Sequence, residues 1–366
     1  MAPRMLIAGG GTGGHAVPAL AIAEAVRKVS GESKILFIGT KQGVESRIVP
    51  KAGFELEQIS VISLSRTLNA SLIRFPFVLA KGFIETMMIV RRFRPDITLC
   101  TGGYVSGPVG LASALLGVPV VVHDSNVLPG ITLRILSRAA SLVLLGFDQA
   151  RRKMGGRLRK VVGNPTRMVK RNVSLEDARI LFGLAPDLTT LLVVGGSQGA
   201  RSINYAVRDA LPALTDAGIQ VLWQTGRLDS ESMAEAAEPY GEQVAVMPFI
   251  DEMTSAYRAA DLAVTRAGAM TLTELNLYGI PGILVPLATS SENHQEVNAR
   301  SMEREGWARM ILQRELDGAI LQSTVLGLLE DSNGLAAMAK RSRESDAGDA
   351  AGRIVQVLTY RKLLRL

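Results

Sequence analysis

Cysteine is almost missing from this chain: among 366 residues Cys100 is the only one. A single thiol cannot close an internal disulfide, and without a C-x-x-C pair or a Cys/His cluster there is no framework for structural zinc. A reducing compartment, the cytoplasm, is expected. Aromatic residues make up 5% and are not interleaved with the basic ones. Zinc-finger spacing and RNP-like runs are also absent, so no nucleic-acid module is visible. No apolar stretch reaches the roughly 20 residues that a membrane-crossing helix needs. The start, MAPRMLIAGGGTGGH, ends its short apolar run in glycines and reads as neither a signal peptide nor an anchor. There is no G-x-x-x-x-G-K-[ST], which speaks against a P-loop NTPase, and no D-x-D pair to hold Mg²⁺ on a diphosphate. Neither a metal nor another cofactor is expected.

What is present is ordinary globular material, 47% hydrophobic and 20% charged, in a length that fits two domains. The formal net charge of +7 points to an anionic partner, either acidic lipid headgroups or a phosphorylated substrate. A basic but unspecialised surface explains the charge equally well.

Continuous β-branched runs alternate with helical patterns, the signature of parallel strands buried on both faces. The first half predicts strands at Met5–Ala8, Lys34–Ile38, Ile97–Cys100, Val118–His123 and Leu142–Leu145. Helices are predicted at Ala16–Val29, Val44–Lys51 and Gly107–Leu116. The pattern then restarts, with strands at Thr190–Val194, Gln220–Gln224, Val244–Pro248, Leu262–Thr265 and Gly282–Val285. The fold class is α/β: two Rossmann-like, doubly wound parallel-sheet domains facing each other across a cleft. Residues 1–163 form the first domain and 164–349 the second, with VVGNPTR (Val161–Arg167) as linker. The basic C-terminal helix, about 350–366, packs back on the first domain.

Three glycine loops follow predicted strands and precede helices. They are GGGTGGH (Gly9–His15), GGYVSGP (Gly102–Pro108) and GGSQGA (Gly195–Ala200). Any one of them can be a tight turn that needs glycine for steric reasons. Placed together at the carboxyl ends of strands, they argue for a ligand cleft in which backbone N–H groups and helix N-termini meet phosphate. A nicotinamide enzyme would place an acid about 20 residues after its first loop. This sequence has Thr40 and Lys41 there, which counts against a dinucleotide.

These loops, together with HDSN (His123–Asn126), GNPTR, and TRAGAMTLTE followed by NHQEVNA, run in order from Gly9 to Asn298. The combination resembles the MurG family of peripheral-membrane N-acetylglucosaminyltransferases, which convert lipid I to lipid II in peptidoglycan synthesis. The resemblance implies GT-B architecture, with lipid I held by the N-terminal domain and UDP-GlcNAc mainly by the C-terminal one. It implies that Ser197, Gln198 and Arg167 lie at the donor diphosphate. Ile250 would lie at uracil and Glu274 at the ribose hydroxyls. Gln295, with Asn298 and Asn126, would read the GlcNAc hydroxyls. Thr12, Gly13 and Gly14 of the first loop and Met270 and Thr271 complete the implied substrate-binding set. His294 stands where some members carry a second glutamine, so the pairing of side chain with hydroxyl stays open.

The implied reaction is inverting transfer, and its base must take a hydroxyl proton. Histidine suits that work near neutral pH, and His15, His123 and His294 are the choices. His15, at a predicted helix start, is the first candidate; a loop-ordering role also fits it, and a packed strand-end role fits His123. Between Leu68 and Pro95, apolar residues mix with Arg74, Lys81, Arg91, Arg92 and Arg94. The segment suits either a core helix pair or an anionic-membrane contact, with Leu72, Ile73, Phe75 and Phe77 exposed in the second case. The expected location is the cytoplasmic face of the membrane, with other cell-wall synthesis proteins as further partners. Rival readings are a GT-B transferase with another lipid acceptor, a UDP-GlcNAc epimerase, and a silent UDP-sugar-binding protein.

Overall fold

A computed structural model describes residues 2–61, 71–167, 173–196, 198–345 and 348–364, with 71–76 and 291 described by backbone alone. The first unit opens with β1 (Arg4–Gly9), α1 (Gly13–Val29), β2 (Lys34–Gly39), α2 (Glu45–Lys51) and β3 (Glu55–Gln58). It continues with α3 (Ser71–Phe93), β4 (Ile97–Gly102), α4 (Ser106–Leu115), β5 (Val120–Asp124), α5 (Ile131–Leu136), β6 (Leu142–Leu145) and β7 (Arg159–Val161). The second unit holds α6 (Leu175–Ile180), β8 (Thr190–Val194), α7 (Arg201–Asp216), β9 (Gln220–Gln224), α8 (Ser230–Ala237) and β10 (Val244–Met247). After them come α9 (Met253–Ala259), β11 (Leu262–Thr265), α10 (Ala269–Tyr278), β12 (Gly282–Leu284), α11 (His294–Glu305), β13 (Ala308–Met310), α12 (Gly318–Glu330) and α13 (Ser332–Glu344). The chain then closes with α14 (Ala350–Tyr360).

Both sheets are parallel. The first runs in the order β3-β2-β1-β4-β5-β6-β7 and the second β10-β9-β8-β11-β12-β13. Each therefore reverses direction once, between β1 and β4 and between β8 and β11, and such a switch point leaves a crevice at the carboxyl ends of the strands. Alternate residues of each strand in the first unit enter opposite cores. Met5, Ile7, Ile35, Phe37, Ile97 and Leu99 pack under α1 and α14, whereas Leu6, Ala8, Leu36, Ile38 and Cys100 pack under α3, α4 and α5. Burial on both sides is why these strands read as unbroken apolar runs. In the second unit Leu191, Val193, Val221, Trp223 and Val264 pack under α7 and α12.

Three strands were not predicted: β3, β7 and β13. They are short edge strands whose sequences, ELEQ, RKV and ARM, carry charge instead of an apolar run. The chain changes unit later than residue 163. Met1–Arg167 and Ala347–Leu366 form one compact unit and Met168–Asp346 the other. The segment stays with the first unit because the Asn164 amide donates to the Ser125 carbonyl at 3.0 Å and Arg167 pairs with Glu24 at 2.8 Å.

On α14, Ile354, Val355 and Leu358 are buried in the core they share with α1, and Arg353 donates to the Val162 carbonyl at 2.9 Å. Truncating Ile354 to alanine leaves a cavity there and is expected to lower stability in a urea titration by about 3 kcal/mol. Tyr360→Ala, at a residue 78% exposed on the same helix, is expected to change it by less than about 0.5 kcal/mol.

Candidate active site

In the first unit the loops after β1 and β4, the two strands at the switch point, are fastened together. His15 Nδ1 lies 3.1 Å from the Thr101 carbonyl, and the Thr101 hydroxyl donates to the His15 carbonyl at 2.8 Å. A carbonyl can only accept, so Nδ1 carries the proton and Nε2 holds the lone pair of the neutral ring. Gly102 has φ +115°, and a Cβ on it would fall 2.4 Å from His15 Nδ1, so only glycine fits beneath the ring. Ser106 Oγ, buried at the start of α4, accepts from the Gly102 N–H at 3.1 Å and completes the turn. Thr12 and Gly14 are exposed, and Gly13 and His15 are half-buried.

At the end of β5, Asp124 accepts from the N–H groups of Asn126 and Gly130, each at 2.9 Å, and so shapes the loop that presents the half-buried Asn126. Burial pushes the Asp124 carboxyl up to about 6 against the pull of those donors. His123 is fully buried, and its Nε2 donates to the Gly163 carbonyl at 3.1 Å. Burial pulls its pKa down to about 4. A neutral histidine with no exposed surface is a packing residue, the second of the two roles open to it.

In the second unit the loop after β8 leads into α7. The Gly196 carbonyl accepts from the Gly199 N–H at 2.9 Å and from the Gln224 amide at 3.0 Å, and Gln224 Oε1 accepts from the Ile250 N–H at 2.9 Å. Gln224 thus ties the glycine loop to Ile250 through the Ile250 N–H. Asn204 on α7 donates to the Thr225 carbonyl and to Asp229, each at 2.8 Å, and accepts from the Trp223 indole. Arg266, after β11, donates to the Val285 carbonyl and to Ser202 Oγ on the first turn of α7, both at 3.1 Å. Burial lowers its pKa to about 10, so it remains a cation at neutral pH. The Tyr257 hydroxyl, on α9, donates to Glu274 on α10 at 2.8 Å, but burial outweighs it and pushes the carboxyl up to about 7. Gln295 Oε1 accepts from the Leu287 N–H at 3.0 Å.

Residues 5–145 match the glycosyltransferase family 28 N-terminal domain, and residues 190–354 match the family's C-terminal domain. The chain belongs to glycosyltransferase family 28. Its fold class is GT-B, two Rossmann-like parallel-sheet domains, as the sequence predicts. A relative from Desulfitobacterium hafniense is 41% identical over 97% of this chain and 98% of its own length. A second, from Salinibacter ruber, is 40% identical over 97% of this chain and 96% of its own length. Both carry the name UDP-N-acetylglucosamine–N-acetylmuramyl-(pentapeptide) pyrophosphoryl-undecaprenol N-acetylglucosamine transferase. The crystal structure of Acinetobacter baumannii MurG superposes with a TM-score of 0.81 at 28% identity, covering 98% of this chain and all of that one.

Within this family 28 fold, the residues singled out from sequence take distinct places. Gly195, Gly196, Gln198, Gly199, Ala200, Ile250, Met270, Thr271 and Gln295 lie on loops or helix starts that follow β8, β10, β11 and β12, and Glu274 lies in the middle of α10. Asn298 is fully buried and donates to the Ala267 carbonyl at 3.1 Å, so it supports the loop after β11. Arg167 belongs to the first unit, beside Glu24. Ser197 lies outside the described residues. Sequence reasoning passed over Gln224, Tyr257 and Arg266. Only Arg266 had a signal, as a charge inside a strand-to-helix loop.

The unfolded chain protonates His123 near its ordinary 6.5 and the native one only near 4, so His123 withdraws stability as pH falls through that window. The full difference amounts to about 3 kcal/mol. Asp124 and Glu274, both raised, act with the opposite sign in overlapping ranges. The His123 contribution is therefore read as a difference between variants. Urea titrations from pH 7 to 4 are expected to show His123→Phe losing less stability on acidification than the wild type.

Proposed function

We propose that this protein transfers GlcNAc from UDP-GlcNAc to the MurNAc 4-hydroxyl of undecaprenyl-pyrophosphoryl-MurNAc-pentapeptide, lipid I, releasing lipid II and UDP with inversion at the anomeric carbon. One observation carries this reading: the correspondence with relatives of that name spans 97% of the chain and includes both domains.

In the proposed step the acceptor oxygen bonds to the anomeric carbon, the bond from that carbon to the diphosphate oxygen breaks, and His15 Nε2 takes the hydroxyl proton. The Thr101 carbonyl holds Nδ1–H, which keeps the lone pair on the other nitrogen and stabilises the imidazolium once formed. The departing diphosphate gains negative charge. The N-terminus of α7, with Ser197 and Gln198 before it and the Arg266 cation hydrogen-bonded to its first turn, is suited to receive that charge. No metal is assigned a part. Arg167, which the family resemblance sets at the diphosphate, pairs with Glu24 here, a partly exposed pair worth less than about 1 kcal/mol. Glu274 would accept from the ribose hydroxyls, the Ile250 carbonyl would meet uracil, and Gln295 would present its amide to GlcNAc.

UDP release from UDP-GlcNAc is the test, with and without a lipid I analogue and in EDTA. Acceptor-dependent release that survives EDTA is expected, and His15→Ala is expected to lower kcat at least about 100-fold with donor binding unchanged. Donor binding without release on adding the lipid I analogue would instead fit a silent binding protein or another acceptor.

The acceptor is a lipid, and we place the protein as a peripheral occupant of the cytoplasmic membrane face. Among the described residues no helix is long and apolar enough to cross a membrane. Helix α3 buries Gly82, Thr86, Ile89 and Val90 and turns Phe77, Lys81, Ile84, Met88 and Arg91 to solvent, with Phe77 77% and Ile84 and Met88 each 58% exposed. The side chains of Leu72, Ile73 and Phe75 lie outside the described residues. Next to α3, α4 exposes Leu111 and Leu115, and beside α4, α5 exposes Ile131 and Ile135. Apolar groups flanked by cations suit an anionic interface. Replacing Phe77, Ile84 and Met88 together by serine is expected to lower co-sedimentation with phosphatidylglycerol vesicles at least about tenfold. Turnover of a water-soluble acceptor analogue should be unchanged.

A further inference from the structure

Glu45, the first residue of α2, is fully buried. Its Oε2 accepts from the Gly11 N–H at 2.8 Å, and its Oε1 accepts from the N–H and the hydroxyl of Thr40, each at 2.8 Å. The Thr40 hydroxyl oxygen in turn accepts from the Gly43 N–H at 3.0 Å. One carboxylate therefore joins the loop after β1 to the loop after β2. The cage around it consists of glycine. A Cβ on Gly10 would lie 2.4 Å from the Glu45 carboxyl carbon, one on Gly39 2.6 Å from its Cγ, and one on Gly43 2.1 Å from Oε2. With no exposed surface, the side chain cannot swing aside to admit them.

Gly11 lies on the loop after β1 and His15 on the first turn of α1 that the loop leads into, and this stretch is held on its other side by Thr101 and by the Gly10 N–H donating to the Gly102 carbonyl at 3.4 Å. The geometry points to Glu45 as a positioning residue for His15, a role that rests on the assignment of His15 as the base. The first glycine loop is clamped from both sides, by a carboxylate at Gly11 and by the β4 turn at His15. Displacing one clamp moves the imidazole relative to the hydroxyl whose proton it takes. Reacting groups tolerate little misplacement: about 1 Å can lower turnover 100-fold.

Glu45→Gln releases Gly11 selectively. With the amide oxygen kept by the two Thr40 donors, the new NH₂ faces the Gly11 N–H, donor against donor. This variant is expected to lower kcat about 10- to 100-fold while the UDP-GlcNAc KM stays within about twofold, since the donor is assigned to the other unit. The deciding measurement is the double variant. If Glu45 acts through His15, Glu45→Gln in the His15→Ala background is no slower than His15→Ala alone; a general structural effect would multiply the two losses. Thr40→Val serves if Glu45→Gln does not fold, because it removes one hydrogen bond from Oε1 and keeps the carboxylate. A smaller loss of kcat is expected, again absent in the His15→Ala background. Multiplying losses overturn the proposal, and so does a wild-type kcat for either variant beside a slow His15→Ala. A wild-type rate for His15→Ala removes the base assignment instead.

Discussion

One extra residue in strand β4 organises the first unit. Pairing between β1 and β4 is regular up to Ala8 opposite Cys100, and then Gly9 stands opposite Gly102, so Thr101 has no partner across the ladder. A bulge of this kind turns its residue out of the sheet. The carbonyl and the hydroxyl of Thr101 then both go to His15, the first to the ring and the second to the main chain. The arrangement requires glycine at 102, where φ and the nearby imidazole both exclude a side chain. It also requires the buried Ser106 to take up the Gly102 N–H. The histidine, the glycine loop and the start of α4 therefore depend on a single irregularity at the switch point of the sheet.

The bulge cannot be read from the sequence, although its surroundings can. Strands such as LLVV and LVLL announce themselves because both faces are buried and every position is apolar. The glycine loops are also visible, since runs of glycine between a strand and a helix are uncommon without a reason. Edge strands such as β3 escape because an edge needs charge to stay soluble, and charge hides the strand.

The side chains missed in the site share a different property. Gln224, Tyr257 and Arg266 act on partners between 17 and 64 positions away. A glutamine at the end of a strand or an arginine in a loop has no local signature of such a task. It acquires meaning only when the fold brings the partner to it. Asn298 shows the reverse: the resemblance sets it beside the GlcNAc hydroxyls, but its full burial and its bond to the Ala267 carbonyl make it a support for the loop after β11.

The two units use the same topology and treat charge in opposite ways. In the second, the loop after β8 leads into the 16-residue helix α7, and a half-buried arginine is hydrogen-bonded to the first turn of that helix. A helix N-terminus and a nearby cation both favour an incoming anion. In the first, the corresponding loop after β1 has a protein carboxylate on the Gly11 N–H, and it and the helix start it leads into are tied to the carbonyl and hydroxyl of Thr101 and to the Gly102 carbonyl. A loop that already holds an anion is a poorer place for a second one, because like charges brought together in a protein interior repel strongly. Equivalent glycine loops have thus been turned to different ends by what stands behind them, a cation in one unit and a carboxylate in the other. This asymmetry gives a physical reason for assigning the nucleotide diphosphate to the second unit and proton transfer to the first.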